Sequence, residues 1–172
     1  MPYVIKPLLL GKQQVSKGQY TYFVDWEKQI WIANAFWYIK ADDKNVLVDT
    51  GISQSDTQKY LYGRPYEHVR SFTEALSLVG ITAEDVDIVI QTHLHYDHCG
   101  HTALCTRAKV IVQEAELKFA YSPHALFSGS YKLGFLKDLH FQVVTEDCQV
   151  VPGIKVIAAP GHSPGTQAVA VE

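Results

Sequence analysis

The stretch that most constrains this chain is His93-Leu94-His95-Tyr96-Asp97-His98. It follows Val86-Asp87-Ile88-Val89-Ile90-Gln91, in which Val86, Ile88 and Ile90 alternate and Val89 adds a second apolar face, the pattern of a short buried strand. The histidines begin where that strand stops. Side chains two apart on extended backbone share a side, so His93 and His95 can converge on one point while Leu94 turns into the core. Asp97 and His98 are adjacent and would point apart on a strand. A turn there swings both toward a second point close to the first. Imidazole and carboxylate are the donors for zinc and related divalent ions. A purely structural loop at a strand end is normally built of Gly, Asn, Asp and Ser instead. The spacing also differs from a helical H-E-x-x-H, whose ligands lie one helical turn apart.

Two further stretches bear on this one. Val46-Leu47-Val48 reads as a buried strand that ends at Asp49-Thr50-Gly51, where an Asp before Gly is by itself a turn former. Ala159-Pro160-Gly161-His162-Ser163-Pro164-Gly165 places a histidine in a stiff, sharply bent loop, and alone it would be a loop histidine. Taken in order with the histidine string, these stretches resemble the signature of the metallo-β-lactamase superfamily. Within it the chain most resembles the N-acyl-homoserine lactone lactonases. The resemblance implies an α/β (α+β) fold, an αββα sandwich with its site at the sheet edges between two similar halves. Residues 1–172 would form one such domain with the second half incomplete.

The resemblance also implies roles. His162 joins His93 and His95 on a first metal, Asp97 and His98 serve a second, and Asp49 lies beneath, accepting a hydrogen bond from a ligand histidine. An Asp that bridges the metals, a last His, and the tyrosine that contacts the substrate carbonyl would all lie beyond the point matching Glu172. Zinc is the expected ion, one or two per chain, with Fe, Mn or Co open. The flavodiiron-type relatives carry Glu where this chain has His95, which argues against redox iron. The implied reaction is attack of a metal-held hydroxide on a lactone or ester, with Asp97 passing a proton to the leaving alkoxide. Three histidines and an open fourth position already suffice to activate water. The alternatives are a glyoxalase II-like thioesterase or other small-molecule metallo-hydrolase, and a non-catalytic metal-binding fragment or subunit.

At 172 residues, 47% hydrophobic and 19% charged, the chain reads as one ordered globular domain. A net charge of −3 without a basic run offers nothing to nucleic acid or an anionic membrane. No apolar run is long enough to span a membrane. The apolar N-terminus is interrupted by Pro2, Lys6 and Pro7 and is followed by no small-residue cleavage site, so no signal peptide is expected. Cys99, Cys105 and Cys148 show no C-x-x-C spacing and read as free thiols of a cytoplasmic protein.

Residues 2–49 read as β, including the aromatic-rich Gly18–Trp26, and Ile30–Lys40 reads as a strand covered on both faces. Ala41–Asn45 is a turn. Ser71-Phe72-Thr73-Glu74 is a capping box that opens a helix closed by Gly80, and Thr82–Asp85 is a short capped turn. A helix is expected from about Gly100 to Arg107, a strand at Lys109–Val112 and a helix at Gln113–Tyr121. Strands follow at His140–Val144, Gln149–Val151, Ile154–Ala158 and from Gln167. This order predicts a mixed, helix-covered sheet. Residues 119–141 hold aromatics without a period, as an insertion packed on the core or as the wall of an apolar pocket. The resemblance puts a substrate acyl tail there, with Tyr96, Phe119, Tyr121 and Phe127 as lining candidates. His68, His124 and His140 read as surface or loop residues, and His101 lies close to the string but outside the ligand set. An incomplete second sheet would leave unpaired edges and an exposed apolar face. The chain is therefore expected to belong to a longer protein, to dimerise, or to pair with a complementary segment, the alternative being a genuine short form.

Overall fold

The computed structural model describes residues 3–60 and 63–172. Met1 and Pro2, on which the readings of the N-terminus partly rest, lie outside the described residues. The chain opens with two long antiparallel strands, β1 (Val4–Ser16) and β2 (Gln29–Ala41), and turns through Asp42-Asp43 into β3 (Lys44–Val48). Helix α1 (Gln54–Tyr60), strand β4 (Tyr66–His68) and helix α2 (Phe72–Ser77) follow, then β5 (Ile88–Ile90), α3 (Tyr96–Cys99), β6 (Lys109–Gln113), α4 (Glu114–Tyr121) and β7 (Phe141–Val144). The seven strands form one sheet in the order β4-β1-β2-β3-β5-β6-β7. It is antiparallel from β4 to β3 and parallel from β3 to β7. A second sheet has the order β10 (Gln167–Val171), β9 (Ile154–Ala158), β8 (Cys148–Val151).

The period of two along each strand decides what covers each face. Leu47, Val89 and Val110 face α2, where Phe72, Ala75 and Leu76 close one core with Leu8, Leu10 and Phe36. Val46, Val48, Ile88, Ile90 and Ile111 face the other way and meet Ile154 and Val156 of the second sheet. Helix α2 begins where Ser71 Oγ accepts the Glu74 amide at 3.2 Å and Glu74 accepts the Ser71 amide at 2.7 Å. Among the described residues no helix is long and apolar enough to cross a membrane.

Three expectations are corrected. Gly18–Trp26 is not a strand: a 3-10 turn at Lys17–Gln19 leads into turns with Tyr22, Phe23 and Asp25 at positive φ. These residues lie in the connection between β1 and β2, where the backbone must reverse, and β-formers adopt strand only beside a partner strand. Their aromatics are exposed, Tyr22 at 90%.

Strand β2 is covered on both faces only near Ile39 and Ala41. Trp31 and Trp37 on the same parity stay exposed, because the second sheet packs only on the far end of the strand. Finally, no α-helix spans 100–107, where only a 3-10 turn occupies Thr102–Leu104. The helix comes earlier, as α3. The His95 carbonyl accepts the amides of His98 and Cys99, while the Gly100 amide bonds to Gly51 O at 2.9 Å instead of continuing a helical ladder. Gly100 is required there, since a Cβ would lie 2.8 Å from the Gly51 carbonyl.

Candidate metal centre

Strand β5 ends at Ile90, and the extended segment after it carries His93 and His95 to the sheet edge with Leu94 fully buried between them. The β9–β10 loop brings His162 to the same place. Ring centroids are 4.5 Å apart for His93–His95, 4.7 Å for His93–His162 and 4.8 Å for His95–His162. One nitrogen from each of the three lies within 4.8 Å of the others, so the trio could hold a divalent ion. His162 Nε2 is 3.1 Å from His95 Nδ1. His93 Nε2 is buried with no hydrogen-bond partner among the described residues. Leaving such a nitrogen unsatisfied costs about 1–3 kcal/mol, and a cation facing it would remove that cost. Burial, followed by the neighbouring imidazoles, lowers His93 to a pKa of about 2 and His95 to about 4. Both rings are therefore neutral at pH 7, the state in which imidazole ligates. Converging, with His93 and His95 neutral and a buried His93 nitrogen left over, the trio fits a zinc-like ion.

Asp97 and His98 ride on α3 and lie outside that trio. The His98 ring centroid is 4.0 Å from that of His93. Its Nδ1 is 2.7 Å from Asp49 Oδ2, and its Nε2 is 3.9 Å from Asp97 Oδ2. Burial pulls the His98 pKa down, but the Asp49 carboxylate and then Asp97 outweigh it and raise the value to about 9. Asp49 also accepts from the Thr92 amide and hydroxyl, both at 2.8 Å, and so ties the end of β3 to the end of β5. It does this at φ +59°, a left-handed conformation that Asp tolerates better than most residues. Asp97 and His98 border a small cavity of about 150 Å³ shared with Gln13, Tyr20 and Tyr66.

A second cavity, of about 280 Å³, has His95 and His162 in its wall together with Phe119, Phe127, Tyr131 and His124. The 119–141 segment is thus both core and wall: Tyr131 and Leu136 are buried against Leu94 and Val112, while Phe127 stays half exposed. Two lining candidates fall elsewhere. Tyr121 is exposed at the end of α4, and Tyr96 packs on Tyr60 with centroids 5.3 Å apart. An aromatic's place on a helix end or turn decides where its ring goes, and the residue type alone does not show this. His124, taken as a plain loop histidine, is in the wall, and no spacing announced it. His101 Nδ1 donates to the Thr50 carbonyl at 2.8 Å and its ring stacks on Phe72, so it supports the strand end. Glu116 went unnoticed in the sequence, where it looks like any helix-surface acid; it is fully buried beside the trio.

The sequence profile of the metallo-beta-lactamase superfamily matches residues 31–172. An N-acyl homoserine lactonase of Bacillus cereus is 29% identical over 150 residues, covering 78% of this chain and 56% of that protein. The chain thus spans little more than half the length of that relative. Among solved structures, B. thuringiensis AiiA with N-decanoyl-L-homoserine at its active site superposes with a TM-score of 0.85 at 24% identity, covering 100% of this chain and 72% of the other. An N-acyl homoserine lactone hydrolase with N-hexanoyl-L-homoserine at its catalytic metal center gives a TM-score of 0.84 at 24% identity, with the same coverage of 100% and 72%. These similarities establish the fold.

Proposed function

The chain belongs to the metallo-β-lactamase superfamily, and from that premise we propose that it is a metal-dependent hydrolase that opens a lactone or ester, with N-acyl-homoserine lactones as its substrate class. One observation carries the proposal: His95 and His162 belong both to the histidine trio and to the wall of the apolar cavity. An acyl tail between Phe119, Phe127 and Tyr131 would bring its carbonyl end to the trio. The name borne by the Bacillus cereus relative favours a lactone over a thioester.

His93, His95 and His162 would hold one zinc, and Asp97 with His98 would contribute to a second. When bound, zinc acidifies water toward neutral pH and polarises a carbonyl. The chain's own residues supply the rest. Asp49 keeps a proton on His98 Nδ1, which leaves Nε2 as the free face of that ring. Asp97, partly exposed beside His98 Nε2, can carry a proton to the departing alkoxide. The aromatic wall orients the tail and excludes water from it. A cytoplasmic setting suits the three free thiols.

The test measures bound metal by elemental analysis and turnover on a panel of acyl-homoserine lactones and S-lactoylglutathione, for wild type, His95→Ala and Asp97→Asn. The expected result is zinc with lactone turnover in wild type, loss of both in His95→Ala, and loss of turnover with metal partly kept in Asp97→Asn. Full metal and rate in His95→Ala would overturn the site. Preference for S-lactoylglutathione would make the chain a glyoxalase II-like thioesterase. Zinc without any turnover would make it a metal-binding module.

A further inference from the structure

We infer that Glu116 is a positioning residue: its single buried carboxylate holds the two histidine-bearing loops in register, and the metal affinity of the trio depends on that hold. The inference rests on reading His93, His95 and His162 as metal ligands.

Glu116 lies in the first turn of α4, directly after β6, and is 0% exposed. A carboxylate with that burial is strongly disfavoured unless donors surround it. Here two amides and two hydroxyls do so, and they divide by oxygen. Oε1 accepts the Leu94 amide at 2.9 Å and the Tyr131 hydroxyl at 3.1 Å. Oε2 accepts the Ser163 hydroxyl at 2.5 Å and the Gly165 amide at 3.1 Å. Leu94 sits between His93 and His95, and Ser163 and Gly165 immediately follow His162. One oxygen therefore serves each loop, and the distance between the loops is set by one rigid group. Gly165 belongs to the same arrangement. A Cβ there would run into the Glu116 backbone, so only glycine lets the second loop settle onto the helix.

The two oxygens also make the role separable from simple packing. Glu116→Gln preserves the shape but leaves one acceptor. The Ser163 and Tyr131 hydroxyls can rotate and accept from the new amide, whereas the backbone amides of Leu94 and Gly165 can only donate. One loop must then be released.

The experiment has two readouts on this chain. In the metal-free protein, amide exchange is followed at Leu94 and Gly165, with Val112 in β6 as the internal reference. Zinc affinity is measured by competition with a chromophoric chelator. For Glu116→Gln the expected result is exchange at least about 10-fold faster at one of the two amides, Val112 unchanged, and zinc held about 10- to 100-fold more weakly, the range for losing a group that orients metal ligands. Protection of both amides together with zinc affinity within about two-fold of wild type overturns the inference. Should Glu116→Gln fail to fold, Ser163→Ala carries the test beside Thr166→Val as control, since the Ser163 hydroxyl bonds both Glu116 and Thr166 and Thr166→Val removes only the second of these bonds. A loss of several-fold in zinc affinity relative to that control supports the inference, and an affinity equal to the control's overturns it. If wild type holds no zinc, the metal reading of the trio falls, and the inference with it. Amide exchange then still reports whether Glu116 joins the loops, so the two failures are told apart.

Discussion

Replacing Asp49 with Asn tests how His98 is held. The change is nearly isosteric, and Asn accepts the φ of +59° found at this position, so the backbone should not move. One oxygen can still accept the Thr92 amide. What disappears is the negative charge 2.7 Å from His98 Nδ1. In the metal-free chain that charge, with a smaller share from Asp97, overcomes burial and lifts His98 from 6.5 to about 9. Without it, burial is the main influence left, and His98 should fall to 6.5 or below, a drop of at least about 2.5 units, from about 9 to 6.5. The sign for stability follows. A folded pKa above the unfolded one contributes stability that is complete below pH 6.5 and is lost as pH rises through about 9. The full shift would correspond to about 3 kcal/mol; with the His98 side chain 37% exposed, solvent screening reduces this to about 1 kcal/mol. Ring NMR of metal-free wild type and Asp49→Asn from pH 5 to 10 reads the pKa directly. Thermal melts over the same range should decline above pH 6.5 in wild type and stay flatter in the variant. A His98 pKa in Asp49→Asn within about half a unit of wild type would refute the reasoning.

Two further outcomes are expected. Ser71→Ala removes the hydroxyl half of the α2 capping box and should cost about 1 kcal/mol in denaturant unfolding with an unchanged m-value. The Ser71 amide and hydroxyl also hold the Glu74 carboxyl below its ordinary value. That contribution is present above the ordinary value and lost as pH falls through the lowered one, so the gap between wild type and variant should narrow in acid; a gap independent of pH would count against it. Gly165→Ala should destabilise by about 1–3 kcal/mol through collision with the Glu116 backbone. Gly129→Ala, where a Cβ meets nothing within 4 Å, should stay within about 0.5 kcal/mol. Equal effects of the two would show that the close approach of Gly165 is not tight.

Much of the layering can be read from residue order, because a sheet buried on two faces imposes its period on the chain. The alternation at 46–48 and 88–90 assigns each side chain to a face, and the structure keeps that assignment. The histidine string stands out for a related reason: few other circumstances gather so many imidazoles at a strand end. The features that stayed hidden depend on distant partners. Gly18–Trp26 has strand chemistry, yet it occupies the bend between two strands that pair with each other. The end of α3 is fixed by Gly51, distant in sequence, whose carbonyl accepts the Gly100 amide. Glu116 meets Leu94 across 22 residues and Gly165 across 49, and nothing in α4 itself marks it as buried.

The histidine trio also needs the two sheets to keep one alignment, because His162 belongs to one and His93 and His95 to the other. An apolar seam alone would not fix this alignment, since aliphatic side chains tolerate small shifts against one another. Polar groups buried in the seam do. Gln167, at the start of β10, donates to the Gln91 carbonyl at 2.8 Å and accepts from Gln113 Nε2 at 3.0 Å. The Gln167 amide meets the Thr92 carbonyl at 2.9 Å, one residue before His93. All three glutamines are buried, so a slip of either sheet would leave several polar groups unpaired at about 1–3 kcal/mol each. Glu116 then repeats the constraint at the loops themselves. The relative position of the imidazoles is thus fixed once through the strands and once through a helix, which is how side chains brought together from separate layers keep one arrangement.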